Sequence, residues 1–244
     1  MNDFKEFEDK SKENINAQSN DIELQKLSFD WFVKTCEYNY CFNNKWLGMP
    51  IVQTNQDIVA LQEIIWNIKP ELIIETGIAR GGSLVFFASM LELLNRNGHV
   101  LGIDIDIRQH NRIAIENHPM FKNITMLEGS SIDEKIVEKV QCFAKDKQSI
   151  LVSLDSNHTH AHVLRELELY APLVTVGSYC VVFDTGIEHF PQEMYIDRPW
   201  GKGNNPKTAV LEFLKNRDDF MLDRDIENKL LITGARDGFL KKVK

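Results

Sequence analysis

The sequence predicts an α/β fold in which a mostly parallel sheet carries helices on both faces. Strand-like and helix-like segments alternate without a break from Glu71 to Asp184, which is the order that parallel strands with crossover helices require. The strand-like segments are short and almost wholly apolar, as expected for strands that are buried on both faces. Their ends carry acidic residues or glycines, and α/β proteins bind ligands at that edge of the sheet.

Composition favours one core and a small-molecule partner. Of 244 residues, 43% are hydrophobic and the formal net charge is −8, so we expect one sizeable core and do not expect nucleic acid as a partner. No apolar run approaches the roughly 20 residues that cross a bilayer, and the first residues are too polar for a signal peptide. A soluble, cytoplasmic protein is therefore expected. The four cysteines include no C-x-x-C pair, which argues against a disulfide framework or a zinc site.

The first 70 residues are predicted to be additions to that core. Residues 1–20 are rich in Asn, Lys and Glu with little periodicity, so a flexible N-terminus without regular structure is expected. Residues 21–70 are predicted to form a helical cover, with one helix near its start and a second from Asp57 to Ile68 that Pro70 ends. Residues 71–244 then form the ligand-binding domain.

The segment ELIIETGIARGGS, residues 71–83, is the first ligand-binding candidate. An apolar strand ends in Glu75 and breaks into a turn with Gly77, Gly81 and Gly82 before an apolar helix. Glycines let the backbone approach a ligand where a Cβ would clash, and the free N–H groups at a helix start suit a carboxylate or another negative group. The spacing G-x-x-x-G-G differs from the dinucleotide fingerprint. A dinucleotide is therefore not the first choice, and an ordinary tight turn is the alternative.

Further strands are predicted, each with polar residues at its end. HVLGIDID carries Asp104, 22 residues beyond Gly82, close to the distance at which an acidic residue meets a ribose hydroxyl in nucleotide-binding units. The next strand runs into the turn from Glu128 to Ser131, and the two strands after it end at Asp155 and Asp184. Their shared placement at one edge of the sheet predicts a nucleotide-like ligand there.

The C-terminal region is predicted to add a loop, a helix and a hairpin. The irregular segment HFPQEMYIDRPWGKGNNP contains three prolines and two glycines, and loops this long are usually functional lids or disordered. A helix over KTAVLEFLKN follows. NKLLIT and GFLKKV, joined by GARDG, are predicted to pair as a hairpin with one strand antiparallel to the rest.

Asp155 and Asp184 form a candidate metal site. If their strands are neighbours, the two backbones lie about 4.8 Å apart. Two carboxylates that close either share a proton or bind a cation, and hard oxygen ligands suit Mg²⁺ or Mn²⁺. A hydrogen-bonded pair without a metal is the alternative.

His158 is a candidate general base. It lies at the predicted entry to a helix beside the metal candidates, where neutral imidazole can take a proton from a hydroxyl. His160 and His162 are predicted to lie on different faces as surface or capping residues. A rival interpretation uses two imidazoles and one carboxylate as the site of a non-haem iron oxygenase. It ranks second because such sites usually occupy barrel-like scaffolds, whereas this pattern is α/β.

Several segments resemble the cephalosporin hydroxylase family: IIETGIARGGS, GIDIDIR, LDSNHTHAHVLRELELYAPLV, DRPWGKGNNPKTAVLEFL and LLITGARDGFLKKV. The resemblance extends from about Trp46 to the C-terminus. That family is built as class I S-adenosylmethionine-dependent methyltransferases and is related to sugar and catechol O-methyltransferases. The resemblance implies a Rossmann-like sheet of seven strands with a reversed strand in the last hairpin, and assembly as a homo-oligomer. It also implies magnesium-assisted methyl transfer to a hydroxyl of a sugar or small molecule, in a cell-surface polysaccharide or a secondary metabolite.

The same resemblance assigns roles to individual residues. Those that would hold S-adenosylmethionine are Glu75, Gly77, Ala79, Arg80, Gly81, Gly82, Ser83, Asp104, Ser130, Ser131 and Asp155. Among them Asp104 would bind the ribose, and Ser130 and Ser131 would lie near the adenine. Asp155 and Asp184 would bind Mg²⁺, and His158 would be the catalytic base. The lid over the acceptor would include Arg198, Trp200, Lys202 and Asn204.

One position departs from the family pattern. Relatives commonly have Glu-Asp at the end of the fifth strand, whereas this chain has Phe183-Asp184, so one expected carboxylate ligand is missing. Thr185, Glu188 or water would complete the metal site, or the metal would be absent. Because of Phe183, an accessory subunit that binds the cofactor without catalysis stays open as a further alternative.

Overall fold

A seven-stranded sheet organises the chain. The computed structural model describes residues 2–94 and 97–244. Within them the strands are β1 (Asn44–Trp46), β2 (Met49–Ile51), β3 (Leu72–Thr76), β4 (His99–Asp104), β5 (Ile124–Glu128), β6 (Ile150–Leu154), β7 (Tyr179–Val182), β8 (Phe220–Leu222) and β9 (Phe239–Lys242). The α-helices are α1 (Asn2–Asn20), α2 (Ile22–Cys36), α3 (Asn55–Ile68), α4 (Gly82–Leu93), α5 (Gln109–Glu116), α6 (Glu134–Ala144), α7 (His160–Tyr170), α8 (Pro206–Leu214) and α9 (Arg224–Leu230).

The order of the strands places a crevice beside β3. The sheet has the order β5-β4-β3-β6-β7-β9-β8, and Ile74 of β3 pairs in parallel with Leu101 of β4 and Val152 of β6. The chain winds outward from β3 to β5 and then returns to β6 on the other side of β3. Ligands bind at such switch points in α/β sheets. β9 is antiparallel to both of its neighbours, so the predicted fold class is confirmed.

Two apolar cores cover the two faces of the sheet and explain why its central strands are mostly apolar. Successive strand residues point to opposite faces. Ile73 belongs to the core that contains residues of α3 and α4, and Ile74 to the core that contains residues of α6, α7 and α8. Neither side chain is exposed, and full burial of one such side chain contributes about 1.5–3 kcal/mol.

The predicted C-terminal hairpin is wrong in one of its strands. The first residues of NKLLIT end α9, and the backbone turns at Leu231, whose φ is 63°. Ile226 and Leu230 lie four residues apart, on one face of α9, and pack against the core. Leu230 of this segment is therefore part of a helix face, Leu231 and Ile232 follow the helix, and β9 pairs instead with β8.

The N-terminal segment also differs from the prediction. Met1 lies outside the described residues, and Asn2–Asn20 forms α1 instead of a segment without regular structure. Its Lys, Glu and Gln residues are good helix formers even though few residues are apolar. The Gln18 side chain donates to the carbonyl oxygen of Asn228 in α9, over 2.5 Å. This contact joins α1 to the rest of the chain.

The helices predicted between residues 21 and 70 are present as α2 and α3. Thr54 caps the start of α3, and the helix ends at Ile68, two residues before Pro70. The division of the chain at residues 20 and 70 stays a prediction. Across the residues that the structure describes, no helix combines the length and apolar character that crossing a membrane requires.

Candidate active site

The turn after β3 brings the backbone of two strands into close contact. Gly77 has a φ of +90°, and a Cβ on it would lie 2.0 Å from the carbonyl oxygen of Asp155 at the end of β6. A Cβ on Gly82 would lie 2.2 Å from the carbonyl oxygen of Pro50. Only glycine fits at these positions, so the glycine turn predicted from the sequence lies at the junction of β2, β3 and the end of β6.

Glu75 is a buried carboxyl group at the end of β3. Its side chain is 1% exposed, and the Ser83 hydroxyl donates to its Oε2 over 2.9 Å. Burial raises the pKa of Glu75 to about 8, and the negative charge of Asp104 adds to the rise. Because burial penalises the charged form of the carboxyl, this position favours a ligand that brings a positive charge.

Asp104 holds the glycine turn in place from β4. Its Oδ2 accepts hydrogen bonds from the backbone N–H groups of Ile78 and Ala79, over 2.8 and 3.2 Å. Its Oδ1 accepts from the N–H of Asp106. A carboxylate has about four acceptor positions, so capacity remains for a hydroxyl such as that of a ribose. Arg80 is exposed and its guanidinium contacts the His110 ring instead of the turn.

Ser130 and Ser131 follow β5 and lie next to Asp104. β4 and β5 pair so that Asp104 is opposite Glu128, which places the turn after β5 beside the end of β4. The Ser131 hydroxyl contacts Nε2 of His162 at 3.1 Å. The Ser131 carbonyl oxygen accepts a hydrogen bond from the Tyr170 hydroxyl. Both contacts fix this turn to α7.

Asp155, His158 and Asp184 converge at the ends of β6 and β7. These two strands are parallel neighbours, as predicted. One ligand atom from each residue lies within 4.8 Å of the others, and His158 Nε2 is 3.1 Å from Asp184 Oδ2. Burial raises the pKa of Asp155 well above its ordinary value, and the charges of Asp184 and Glu75 raise it further. Because the negative charges around Asp155 disfavour its ionised form, a cation is favoured at this site.

The ligand set of this cluster does not match the iron oxygenase interpretation. That site needs two imidazoles and one carboxylate, whereas the cluster found in the described part of the chain has one imidazole and two carboxylates. His160 Nδ1 contacts the Thr208 hydroxyl, and His162 contacts Ser131. The two histidines lie on different faces of α7, as predicted.

Phe183 and the residues after it explain how the metal candidate differs from the family pattern. Phe183 is 4% exposed and belongs to the core between the sheet and α3. The Thr185 hydroxyl lies 3.5 Å from the Gly234 carbonyl oxygen, and Glu188 accepts from the Gly203 N–H, so both side chains have partners elsewhere. The third residue of the cluster is His158.

The predicted lid contacts the cluster through one aromatic ring. The Trp200 ring meets the His158 ring edge to face, with centroids 4.8 Å apart, and the Arg198 guanidinium lies 5.4 Å from the centroid of Trp200. Asn204 Oδ1 accepts from the N–H of His160 over 2.9 Å, which ties the loop to the start of α7. The Lys202 N–H donates to Oε1 of Gln192 over 3.4 Å, within the loop.

Sequence analysis missed several residues near the cluster. Gln53 is 6% exposed, and its Nε2 lies 3.5 Å from Asp155 Oδ2. Burial raises the pKa values of Cys36 and Tyr195, and the charge of Asp184 contributes to both shifts, so the end of α2 lies near the cluster as well. The available signal was the polar stretch QTNQD, which is unusual beside the apolar strand β2.

The fold and the site define a class I methyltransferase. The sheet order, the glycine turn after its first strand and the acidic end of its second strand are the features of that class. A CmcI structure with Mg and SAM superposes with a TM-score of 0.60 at 20% identity, covering 83% of this chain and 78% of that one. The O-methyltransferase TomG from Streptomyces achromogenes, in complex with SAM, gives 0.53 at 13% identity and 80% coverage of both chains. Both likenesses concern the fold.

The chain belongs to the rhamnosyl O-methyltransferase/CmcI family, whose family model matches residues 38–243. The rhamnosyl O-methyltransferase of Mycobacterium tuberculosis is 31% identical over 197 residues, covering 80% of this chain and 76% of that protein. The enzyme of the same name from Mycobacterium leprae is 29% identical over 205 residues, covering 83% and 85%. The resemblance to the cephalosporin hydroxylase family is confirmed, and the protein is a methyltransferase.

Proposed function

We propose that this enzyme transfers the methyl group of S-adenosylmethionine to a hydroxyl of a sugar or another small molecule, with a divalent cation at the site. The observation that carries the proposal is the convergence of Asp155, His158 and Asp184 beside the glycine turn. The names of the rhamnosyl relatives support a sugar acceptor. The CmcI structure with Mg and SAM and TomG with SAM support these two cofactors.

The residues at the first three strand ends fit S-adenosylmethionine. When bound, this cofactor supplies a methyl group that is activated by a positively charged sulfur. Gly77 has no side chain at the point where the turn meets the Asp155 backbone, and buried Glu75 suits a cationic ligand. Asp104 retains acceptor capacity for the ribose hydroxyls, and Ser130 and Ser131 would lie near the adenine. The other residues of the turn that would hold the cofactor are Ala79, Arg80, Gly81, Gly82 and Ser83.

Asp155 and Asp184 fit a hard divalent cation, since each offers carboxylate oxygen to the same small volume. When bound, Mg²⁺ neutralises negative charge that develops on the acceptor oxygen. Phe183 supplies no ligand because its side chain belongs to the core. His158 lies beside the two carboxylates but is assigned to proton transfer, so water would complete the ligand set.

His158 is the proposed general base. Its Nε2 lies 3.1 Å from Asp184 Oδ2, so in the neutral ring Nε2–H donates to Asp184 and the lone pair resides on Nδ1. Nδ1 is the atom that we assign to take the hydroxyl proton of the acceptor. Asp184 fixes the ring orientation, and Trp200 covers one side of the ring, which excludes water from the reacting oxygen.

Methyl transfer with a defined acceptor tests the proposal. The purified enzyme is incubated with methyl-labelled S-adenosylmethionine, methyl α-L-rhamnoside and other small glycosides, with Mg²⁺, and S-adenosylhomocysteine is measured. We expect turnover with a glycoside, and we expect Asp155→Ala to abolish it. Asp106→Asn is the matched control, because Asp106 is an exposed acid at the same edge of the sheet. Unchanged turnover of Asp155→Ala would refute the metal role, and binding of cofactor without any transfer would favour an accessory subunit.

Two further properties stay predictions. The homo-oligomeric state is tested by light scattering of the purified enzyme, and the cytoplasmic location by fractionation of the cells that produce it. Neither is needed for the proposed chemistry, because Asp155, His158 and Asp184 all lie on one chain.

A further inference from the structure

A buried amide faces the cluster from a segment that the proposed function does not use. Gln53 lies between β2 and α3 and is 6% exposed. Its Nε2 is 3.5 Å from Asp155 Oδ2, and its Oε1 is buried without a hydrogen-bond partner. Buried amide oxygens are almost always paired, since an unpaired one loses its contact with water and gains nothing in return. The Gln56 Oε1 is also buried and unpaired. Gln53 is the better candidate for a donor from outside the chain, because its Nε2 contacts Asp155 of the cluster.

The backbone on both sides of Gln53 is held in place. On one side, Pro50 is packed against the glycine turn so closely that a Cβ on Gly82 would lie 2.2 Å from its carbonyl oxygen. On the other side, the Thr54 hydroxyl accepts from the N–H of Asp57 and donates to its Oδ2, over 3.1 and 2.7 Å. The backbone of Gln53 is therefore positioned before any ligand binds. A residue that is positioned in advance loses little entropy on binding.

The charges around Gln53 decide which donor fits best. Gln53 contacts the Asp155 carboxyl, and the negative charges of Asp184 and Glu75 act on Asp155 in turn. A cationic donor is attracted to such a site, whereas a neutral hydroxyl gains only the hydrogen bond. The amino-acid part of S-adenosylmethionine carries an ammonium group with three N–H donors.

We propose that Gln53 binds the ammonium group of the cofactor through Oε1, while its Nε2 remains beside Asp155. The assignment rests on the proposed function. It gives the segment before α3 a direct part in cofactor binding, next to the acidic residues at the strand ends. It also explains why this position has a glutamine. An apolar side chain here would leave no polar atom buried without a partner, so the amide needs a function.

Calorimetric titration with two cofactor analogues tests the proposal. S-adenosylhomocysteine carries the ammonium group, whereas 5′-methylthioadenosine lacks the whole amino-acid part. For Gln53→Met, which keeps the length of the side chain without its amide, we expect about tenfold weaker binding of S-adenosylhomocysteine and unchanged binding of 5′-methylthioadenosine. Gln53→Glu keeps an acceptor oxygen in either protonation state and is expected to bind S-adenosylhomocysteine within about threefold of wild type.

Gln56→Met is the matched control, because Gln56 is three residues away and its Oε1 is also buried without a partner. It is expected to bind both analogues as wild type does. Unchanged binding of S-adenosylhomocysteine by Gln53→Met would overturn the proposal. If Mg²⁺ binding weakened in that variant, the Gln53 Oε1 would be assigned to the cation, and otherwise to a hydroxyl of the acceptor. Equal weakening of binding for both analogues would also overturn the proposal, because it would show that the substitution changes the shape of the pocket instead of removing a contact with the ammonium group. A wild-type chain that binds neither analogue refutes the proposed function itself.

Discussion

Replacement of Glu75 by Gln is expected to stabilise the unliganded enzyme and weaken cofactor binding. The Glu75 carboxyl is 1% exposed, and burial raises its pKa from 4.5 to about 8. Gln has the same shape, and its Oε1 can accept the hydrogen bond that the Ser83 hydroxyl now donates to Glu75. The substitution therefore removes the titrating group while it keeps the packing and the one hydrogen bond.

The size of the effect follows from the pKa shift. Because the folded-state pKa is raised, the stability associated with this group is fully present below pH 4.5 and is lost as the pH rises towards 8. At pH 7 the carboxyl is ionised in the unfolded chain and largely protonated in the folded one, which costs about 3 kcal/mol. Glu75→Gln escapes this cost, so its advantage over wild type grows from pH 4.5 to pH 8.

Urea unfolding followed by tryptophan fluorescence, at several pH values between 5 and 8, measures the predicted difference. Cofactor binding is measured on the same proteins by calorimetry. We expect weaker binding of S-adenosylhomocysteine by Glu75→Gln, because a neutral amide cannot become the carboxylate that pairs with a cation. A stability difference that does not change with pH would refute the assigned burial cost, and unchanged binding would remove Glu75 from the cofactor site.

Three further predictions concern the turn, the lid and the metal. Gly77→Ala places a Cβ 2.0 Å from the Asp155 carbonyl oxygen and should lower the free energy of unfolding by more than about 3 kcal/mol. The control is Gly203→Ala, at a φ of +81° with nothing within 4 Å of the new Cβ, which should lower that free energy by about 1 kcal/mol. Equal losses for the two variants would contradict the steric argument. Trp200→Ala removes the ring beside His158 and should lower kcat/KM for the acceptor about tenfold without changing the affinity for S-adenosylhomocysteine. Trp200→Phe should retain most activity. A loss of affinity for S-adenosylhomocysteine in Trp200→Ala would assign the ring to the cofactor instead of the acceptor. EDTA should suppress methyl transfer and added Mg²⁺ restore it, and full activity in EDTA would exclude the metal role.

The fold was predictable because its signals are local. The parallel strands at the centre of the sheet are mostly apolar, which reflects burial on both faces, and each site residue at a strand end follows directly from the alternation of strands and helices. Asp155 and Asp184 could be paired from this pattern alone, because consecutive strands in such a sheet are often neighbours. The strand predicted over NKLLIT is wrong because a short apolar run has no clear period. Residues 228–230 continue α9, in which Ile226 and Leu230 pack against the core.

Long-range contacts were the part that the sequence could not provide. Gln53 is 102 residues from Asp155, and no spacing rule connects them. The contact of Trp200 with His158 depends on the path of a loop that lacks helical or strand periodicity. Phe183 was visible as a departure, but only the packed structure shows that its side chain belongs to the core and that His158 joins the carboxylates.

The central claim is that the turn after β3 and the cluster of Asp155, His158 and Asp184 form one cofactor and metal site. Calorimetric titration of the purified enzyme with S-adenosylmethionine, with and without Mg²⁺, tests it most directly. The account predicts saturable binding to one site per chain, together with Mg²⁺ binding that Asp155→Ala removes. No heat of S-adenosylmethionine binding under either condition would contradict it.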